Sequence, residues 1–280
     1  KQSRRLIKEA LGVPKSIDLW VDTFSSLIKD GLLMLLSSED QEVFFDGDEV
    51  QNKAVSFGWN SSNENFKSFP LAEPNLNLTL NIVPDSQIQK GDDYIQNASF
   101  NTEDMDIREA TFDDGLTTTL FIGGTINIEI SIPQSSYDNG DFVELYDKEI
   151  KPYAEAVLFH ELTHVLEFYN RILSGSASLD FEQVTNLTQM LNKMGAVDDW
   201  DELMFLIYLH LSFELNARVS EVYGLLRNKQ INSKEEFIEF LKNSRAFSYA
   251  KRLKNFSGER FIKDLEVPQS TIDKIREFDG

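Results

Sequence analysis

The chain has 280 residues, of which 41% are hydrophobic and 21 are Phe, so it can bury a sizeable core and is not an intrinsically disordered protein. Its formal net charge of -20 at pH 7 argues against nucleic acid as a partner, because the phosphate backbone would be repelled. Cys is absent, which excludes disulfides, a Cys-ligated zinc site and a thiol nucleophile.

Two helices are predicted at the start of the chain. Residues 3–11 form a short helix that ends before Gly12 and Pro14, and residues 16–36 form a longer one in which apolar residues recur at helical spacing. Both fall within residues 1–38, which we expect to form an N-terminal helical segment that caps the rest of the protein.

Residues 39–145 are predicted to form a β-rich subdomain. Asp, Asn, Ser, Gly and Pro interrupt short apolar stretches throughout this region, as turns and loops do between strands. Between residues 76 and 83, Leu and Ile alternate with polar residues, which is the pattern of a half-buried strand.

The clearest β-hairpin is predicted between residues 117 and 130. Two β-branched runs, residues 117–122 and 125–130, are joined by Gly123 and Gly124, and a two-residue Gly-Gly linker is typical of a tight hairpin turn. We expect this hairpin at the edge of the sheet, just upstream of a long helix.

That long helix is predicted over residues 148–172, and His160, Glu161 and His164 lie near its middle. Residues four apart share one face of a helix, so the two imidazoles can bind one metal ion, while Glu161 is rotated enough to reach a metal-bound water. A divalent ion lowers the pKa of such a water to about 7, and Glu161 can accept its proton during attack on a carbonyl. The pattern predicts a hydrolytic metal site in which Glu161 is catalytic.

The segment His160-Glu161-Leu162-Thr163-His164, with its uncharged and apolar flanks, resembles the zincin metallopeptidases. The resemblance implies Zn2+ as cofactor and an α+β fold, with a small twisted, mostly antiparallel sheet followed by the active-site helix and a C-terminal helical subdomain. It also implies a peptide or protein substrate that lies extended along the sheet edge. A surface helix with two chance His is the alternative, but only three His occur in the chain and two fall here.

Further helices are predicted after a break of small residues at 174–178. They span residues 180–194, 199–226, 233–243 and 268–278, and Ser233 with Glu236 forms a predicted capping box. We assign residues 146–280 to a helical subdomain that carries the metal site.

Catalytic zinc takes three protein ligands and leaves one position for water, so two His are not enough. The metzincin pattern, with a third His six residues after the second, is absent because that position is Asn170. The remaining candidates are Glu167, His210, Glu214 and Glu221. Polar residues on the helix over residues 199–226 fall within about an 80° stripe, and a buried polar stripe needs another charge or a metal as partner. The stripe consists of His210, Glu214, Arg218 and Glu221.

The run Glu214-Leu215-Asn216-Ala217-Arg218 resembles the second motif of the gluzincin branch, in which the ligand Glu lies three residues before an Ala. The resemblance favours Glu214 as the third metal ligand. Several gluzincins carry an Asp where this chain has Arg218, and that Asp supports a zinc-binding His. Glu221 or Glu167 is the alternative support here. Glu214 could instead form only an intrahelical ion pair with Arg218.

Stabilising a developing oxyanion needs a hydrogen-bond donor, and four residues are candidates. They are His210, Tyr208, Tyr223 and Tyr153, and His210 could equally be a core histidine. The sequence does not rank them.

We therefore expect a zinc-dependent metallopeptidase. One alternative is a catalytically silent protein with a zincin fold, such as a virion or assembly component, although the retained Glu161 argues against it. A hydrolase of a non-peptide amide is another. No apolar run approaches the roughly 18 residues of a membrane span and no signal peptide is recognised. A cytoplasmic or virion-associated location is expected over a disulfide-forming compartment, and secretion stays open.

Overall fold

The computed structural model describes residues 15–57, 75–89, 94–101, 107–111, 117–173, 212–227, 229, 231 and 233–255. The chain divides into two units, one of Lys1–Ala177 with Phe213–Ile231 and the other of Ser178–Ser212 with Asn232–Gly280. The helices predicted over residues 3–11, 180–194 and 268–278 lie outside the described residues.

The first unit combines helices with a β-sheet, so the α+β class predicted from the sequence is confirmed. Its described helices are α1 (Lys15–Leu36), α2 (Gly47–Ser56), α3 (Gln134–Asn139), α4 (Phe142–Leu145), α5 (Lys151–Leu173) and α6 (Ser212–Arg227), with a π-helical turn over Tyr146–Ile150. Its described strands are β1 (Glu42–Phe45), β2 (Asn75–Asp85), β3 (Ile95–Asn101), β4 (Ile107–Thr111) and β5 (Thr117–Pro133). The predicted helices over residues 16–36 and 148–172 are thus present with slightly different ends.

The sheet is mixed. Four strands lie in the order β1-β2-β5-β3, and β4 pairs with β5 away from that path. The pairing of β2 with β5 is parallel and sets Leu78 opposite Ile126, whereas the other pairings are antiparallel. The sequence predicted a mostly antiparallel sheet, and the parallel central pair is the difference from that expectation.

One face of the central strands is apolar and faces the core. Alternate residues point to the same side of a strand, and here those residues are Leu or Ile. The buried set is Leu76, Leu78, Leu80, Ile82, Ile126, Ile128, Ile130 and Ile132. Burial of such a side chain contributes about 1.5–3 kcal/mol. The half-buried strand predicted near residues 76–83 is confirmed.

The predicted hairpin is wrong, because β5 runs without a turn from Thr117 to Pro133. Gly123 and Gly124 pair with β2 in the middle of the strand. A Cβ added to Gly124, whose φ is 154°, would lie 2.4 Å from Cε2 of Phe100 on β3. The second glycine therefore admits an aromatic ring close to the strand backbone, where sequence pattern alone indicated a turn.

Helix α5 packs against strands β3 and β5 of the sheet and against helix α1. On α1, the fully buried Trp20, Phe24 and Ile28 recur every four residues and form one apolar stripe. The middle of α5 is thereby held inside the core, and His160, Glu161 and His164 lie in that segment.

The described part of the second unit consists of α7 (Lys234–Lys242) and α8 (Arg245–Asn255). The hydroxyl of Ser233 caps α7 by accepting a hydrogen bond from the Glu236 backbone N–H, so the helix predicted over residues 233–243 is confirmed. None of the helices within the described ranges is long and apolar enough to cross a membrane.

Candidate metal site

His160 and His164 lie one turn apart on α5 and point to the same side. Their Nε2 atoms are 3.0 Å apart. The residues around them are apolar and buried, including Phe159, Leu162 and Val165. No Gly or Pro falls between Tyr153 and Arg171, and core side chains flank the motif, so the helix fixes the two rings in this orientation.

Helix α6 brings a carboxylate to the two rings because it crosses α5 at very short range. A Cβ added to Gly224 would lie 2.6 Å from Cα of Ala156, so a side chain at this position could not fit. Next to the crossing, the rings of Phe159 and Tyr223 pack edge to face with centroids 5.1 Å apart. The far end of α6 is tied to α1, since Arg227 Nη2 donates to Asp22 Oδ1 at 2.6 Å.

Three side chains from these two helices converge. Glu214 Oε2 is 3.3 Å from His164 Nε2 and 3.6 Å from His160 Nε2, and the three ligand atoms lie within 4.8 Å of one another. Glu214 is fully buried, yet its Oε2 has no hydrogen-bond partner. A buried oxygen of this kind is costly unless something binds it. The group could hold a metal ion, and no second such group occurs in the described ranges.

Glu161 lies beside this group without joining it. Its Oε1 is 4.0 Å from His160 Nε2, and the side chain is 5% exposed. Burial raises the pKa of the Glu161 carboxyl, while the two neighbouring imidazoles act in the opposite direction. A carboxylate that adjoins the ligand atoms is suited to contact a water molecule bound there.

Glu214 has a different electrostatic environment. Burial alone would raise its pKa, but the two adjacent imidazoles and the positive charge of Arg218 outweigh burial and lower the pKa of this carboxyl. Arg218 Nε donates to Glu214 Oε1 at 2.6 Å. The two alternatives that the sequence left open for Glu214 therefore coexist, since Oε1 forms the intrahelical ion pair and Oε2 faces the imidazoles.

Glu221 lies on the opposite side of His160. Its Oε2 is 3.6 Å from His160 Nδ1 and accepts a hydrogen bond from Arg218 Nη1 at 2.8 Å. His160 Nδ1 is buried and has no hydrogen-bond partner at this distance. The contact between Arg218 and Glu221 was not predicted, although a spacing of three residues on a helix permits it.

The remaining candidates for a ligand, a supporting residue or an oxyanion donor lie away from the converging group or outside the described residues. Glu167 accepts a hydrogen bond from Asn216 Nδ2 at 2.6 Å, and it does not belong to the converging group. The hydroxyl of Tyr223 is directed to Asp18 at 3.4 Å, and Tyr153 is exposed on α5. His210 and Tyr208 lie outside the described residues.

Comparisons with protein-family models, with curated proteins and with solved structures gave no match. The functional interpretation of the site therefore depends on its own residues. Those are two imidazoles and a carboxylate that converge, a second carboxylate beside them, and an arginine that joins two carboxylates of α6.

Proposed function

We propose that this protein is a zinc-dependent metallopeptidase of the zincin type. The observation that carries the proposal is the convergence of His160, His164 and Glu214 with Glu161 beside them. Two imidazoles and one carboxylate form a common ligand set of catalytic zinc, and this set leaves a coordination position for water. The zincin assignment is supported by the spacing of His160, Glu161 and His164 on α5 and by the gluzincin-like run on α6.

The chemistry of the donors supports a divalent cation in this place. Arg218 pairs with the buried Glu214 and Glu221, and the buried Glu161 lies beside His160. Within the described residues, this cluster therefore has three carboxylates to one guanidinium and an excess of negative charge when the carboxylates are ionised. Buried charges are retained only when they are paired or coordinate a metal. The unpartnered Oε2 of Glu214 is the atom that such a cation would bind.

Each residue has a role in the proposed hydrolysis. When bound, Zn2+ polarises a carbonyl and lowers the pKa of a coordinated water to about 7. Glu161 would accept a proton from the attacking water as the water oxygen bonds to the peptide carbonyl carbon, and would then donate that proton to the leaving amine nitrogen as the C–N bond breaks. His160, His164 and Glu214 would hold the metal.

The edge strand β3 is the proposed position of the substrate. It ends the strand order β1-β2-β5-β3 and packs against α5. An extended peptide could add to such an edge through main-chain hydrogen bonds, which tolerate many side chains. This strand replaces the predicted hairpin as the candidate edge, because β5 lies inside the sheet.

The decisive experiment compares two Glu→Gln variants of α5. In Glu161→Gln we expect unchanged zinc content and a loss of peptide cleavage of about 10²- to 10⁴-fold, because the general base is removed while the ligands stay. Glu155→Gln is the matched control, since Glu155 is equally buried on the same helix but lies beside Lys151 and Arg227. It should cleave like the wild type.

Cleavage would be measured by mass spectrometry on a diverse peptide library with zinc-loaded protein. Undiminished cleavage by Glu161→Gln would contradict the proposal. A wild-type protein that binds zinc but cleaves no peptide would favour the silent structural alternative.

A further inference from the structure

One arginine of α6 holds two buried carboxylates at once. Arg218 lies four residues after Glu214 and three before Glu221, so all three side chains occupy one face of the helix. Its Nε bonds to Glu214 Oε1 and its Nη1 to Glu221 Oε2, at 2.6 and 2.8 Å. Only an arginine fork reaches two acids in this way. As a result, one oxygen of each carboxylate has a fixed position.

For Glu214, this contact separates the roles of the two oxygens. Oε1 is engaged by Arg218, whereas Oε2 is buried, has no hydrogen-bond partner and faces both Nε2 atoms. A free carboxylate can bind a cation through both oxygens. Here the guanidinium occupies one of them, which favours ligation through Oε2 alone.

For Glu221, the contact fixes an acceptor next to a ligand imidazole. An imidazole that binds a metal through Nε2 carries its proton on Nδ1, and that N–H needs an acceptor. His160 Nδ1 is buried without one, and Glu221 Oε2 lies 3.6 Å away.

We infer that Arg218 and Glu221 are positioning residues of the metal site. Arg218 restricts Glu214 to ligation through one oxygen, and Glu221 accepts the Nδ1 hydrogen of His160 when the ion is bound. The inference rests on the proposed function, because both residues act through proposed metal ligands. Several gluzincins have an Asp at the position of Arg218, and that Asp supports a zinc-binding His. In this chain Arg218 positions Glu214, and Glu221, one turn later, supports His160.

The test uses the full chain, freed of metal and then titrated with Co2+ or Zn2+. High-spin Co2+ absorbs visible light more strongly when four-coordinate than when five-coordinate, so its spectrum reports the coordination number. We expect Arg218→Met to weaken the Co2+ absorption, because the released Oε1 becomes a further ligand. Arg218→Lys keeps the charge but cannot span both carboxylates, and its Co2+ absorption should also be weaker than that of the wild type.

Glu221 is tested by zinc affinity, measured by competition with a chelator. Glu221→Leu removes the acceptor and should weaken Zn2+ binding by about 10- to 100-fold. Glu221→Gln retains an acceptor oxygen and should recover most of that affinity. A residue that merely stabilised the helix would not give this difference.

Arg227→Met is the matched control for the arginine. Arg227 also lies on α6 and pairs with an acid, but that acid is Asp22 of α1 and not a residue of the proposed metal site. It should lower the thermal stability and leave the Co2+ spectrum and zinc affinity unchanged. Circular dichroism would establish that each variant is folded.

Three outcomes would overturn the inference: a wild-type Co2+ spectrum in Arg218→Lys, wild-type zinc affinity in Glu221→Leu, or an equal effect in Arg227→Met. None of these measurements needs peptide cleavage. A protein that binds zinc but cleaves no peptide would therefore refute the proposed function. The Co2+ spectra and zinc affinities would still decide whether Arg218 and Glu221 position the metal ligands. A wild type that binds neither ion refutes both.

Discussion

The two carboxylate oxygens of Glu214 contact different groups: Oε1 bonds to the guanidinium of Arg218, and Oε2 faces the imidazoles of His160 and His164. Its side chain is fully buried, and it is anchored by Arg218 at a distance of 2.6 Å. A buried acid needs such a partner to stay ionised in the absence of a cation. The same anchor keeps the second oxygen aimed at the Nε2 atoms of His160 and His164.

Replacement of Glu214 by Gln tests its proposed role as third ligand. We expect zinc affinity to fall by more than the about 10- to 100-fold that loss of a supporting partner costs, because a neutral amide is a poor zinc ligand. The control is Glu167→Gln, in which a carboxylate bonded to Asn216 is neutralised on α5. Metal analysis after dialysis measures both variants, and full zinc retention in Glu214→Gln would refute the assignment.

At the residue scale, the sequence is informative where the geometry is local. The spacing of His160 and His164 specifies a shared helix face, and the structure has the two rings together. Helix spacing alone left four candidates for the third ligand, and the gluzincin-like run favoured Glu214. Spacing does not show which turn of α6 meets α5, because the close approach at Gly224 is a tertiary contact.

At the element scale, the metal site depends on how closely α6 crosses α5. The crossing point is Gly224 against Ala156, and both backbones approach because neither residue has a large side chain. Glu214 and Glu221 extend from the same face of α6 as this glycine, so a change in the crossing distance would displace both carboxylates.

Gly224→Ala should therefore affect stability and metal binding together. The added methyl group would clash with backbone atoms of α5, and we expect a loss of about 1–3 kcal/mol in the free energy of unfolding with weaker zinc binding. Gly31→Ala on α1 is the control, because its Cβ would meet mainly the flexible side-chain end of Leu80 at 2.9 Å. Denaturant unfolding and zinc titration measure the two variants. Equal zinc affinity in both would contradict this account of the crossing.

The central strand shows what local pattern cannot supply. Gly123 and Gly124 between β-branched runs are typical of a turn, yet the same residues also suit a strand against which Phe100 packs closely. Which interpretation holds depends on the neighbouring strand and its register, and those are long-range contacts. The long helices and the half-buried strand near residues 76–83, by contrast, were predicted from periodicity.

At the scale of the whole molecule, the stability of the first unit depends on a buried phenol. The Tyr146 hydroxyl donates to the Ser25 carbonyl at 3.1 Å, so it accepts the hydrogen bond from Ser25 Oγ, also at 3.1 Å. Burial raises the pKa of Tyr146, and the hydrogen bond to Ser25 offsets this only in part. The neutral phenol is therefore the form compatible with the fold.

Alkaline pH should destabilise the protein through this residue. The unfolded phenol ionises near pH 10 and the folded one at higher pH, so the contribution is complete below about pH 10 and is lost as the pH rises through the folded pKa. Tyr146→Phe should cost about 1 kcal/mol at neutral pH through lost hydrogen bonds and show a smaller loss of stability above pH 10. Denaturant unfolding at several pH values measures this. Parallel alkaline losses in both proteins would refute it.

Zinc should stabilise the whole first unit if it binds the folded chain alone. At a free concentration about 100 times the dissociation constant, the free energy of unfolding should rise by about 2.7 kcal/mol. Thermal unfolding in zinc buffers measures this rise, and Glu214→Gln serves as control with a smaller response. A melting temperature independent of zinc in the wild type would contradict the proposed metal site.

The proposed ligands lie on two sides of an insertion in the chain. His160 and His164 belong to the first segment of the first unit, Ser178–Ser212 belongs to the second unit, and Glu214 follows when the chain returns. Synthesis proceeds from the N-terminus, so both imidazoles leave the ribosome before the carboxylate does. A nascent chain thus carries an incomplete ligand set until residues 178–212 and α6 have been synthesised and α6 has docked on α5.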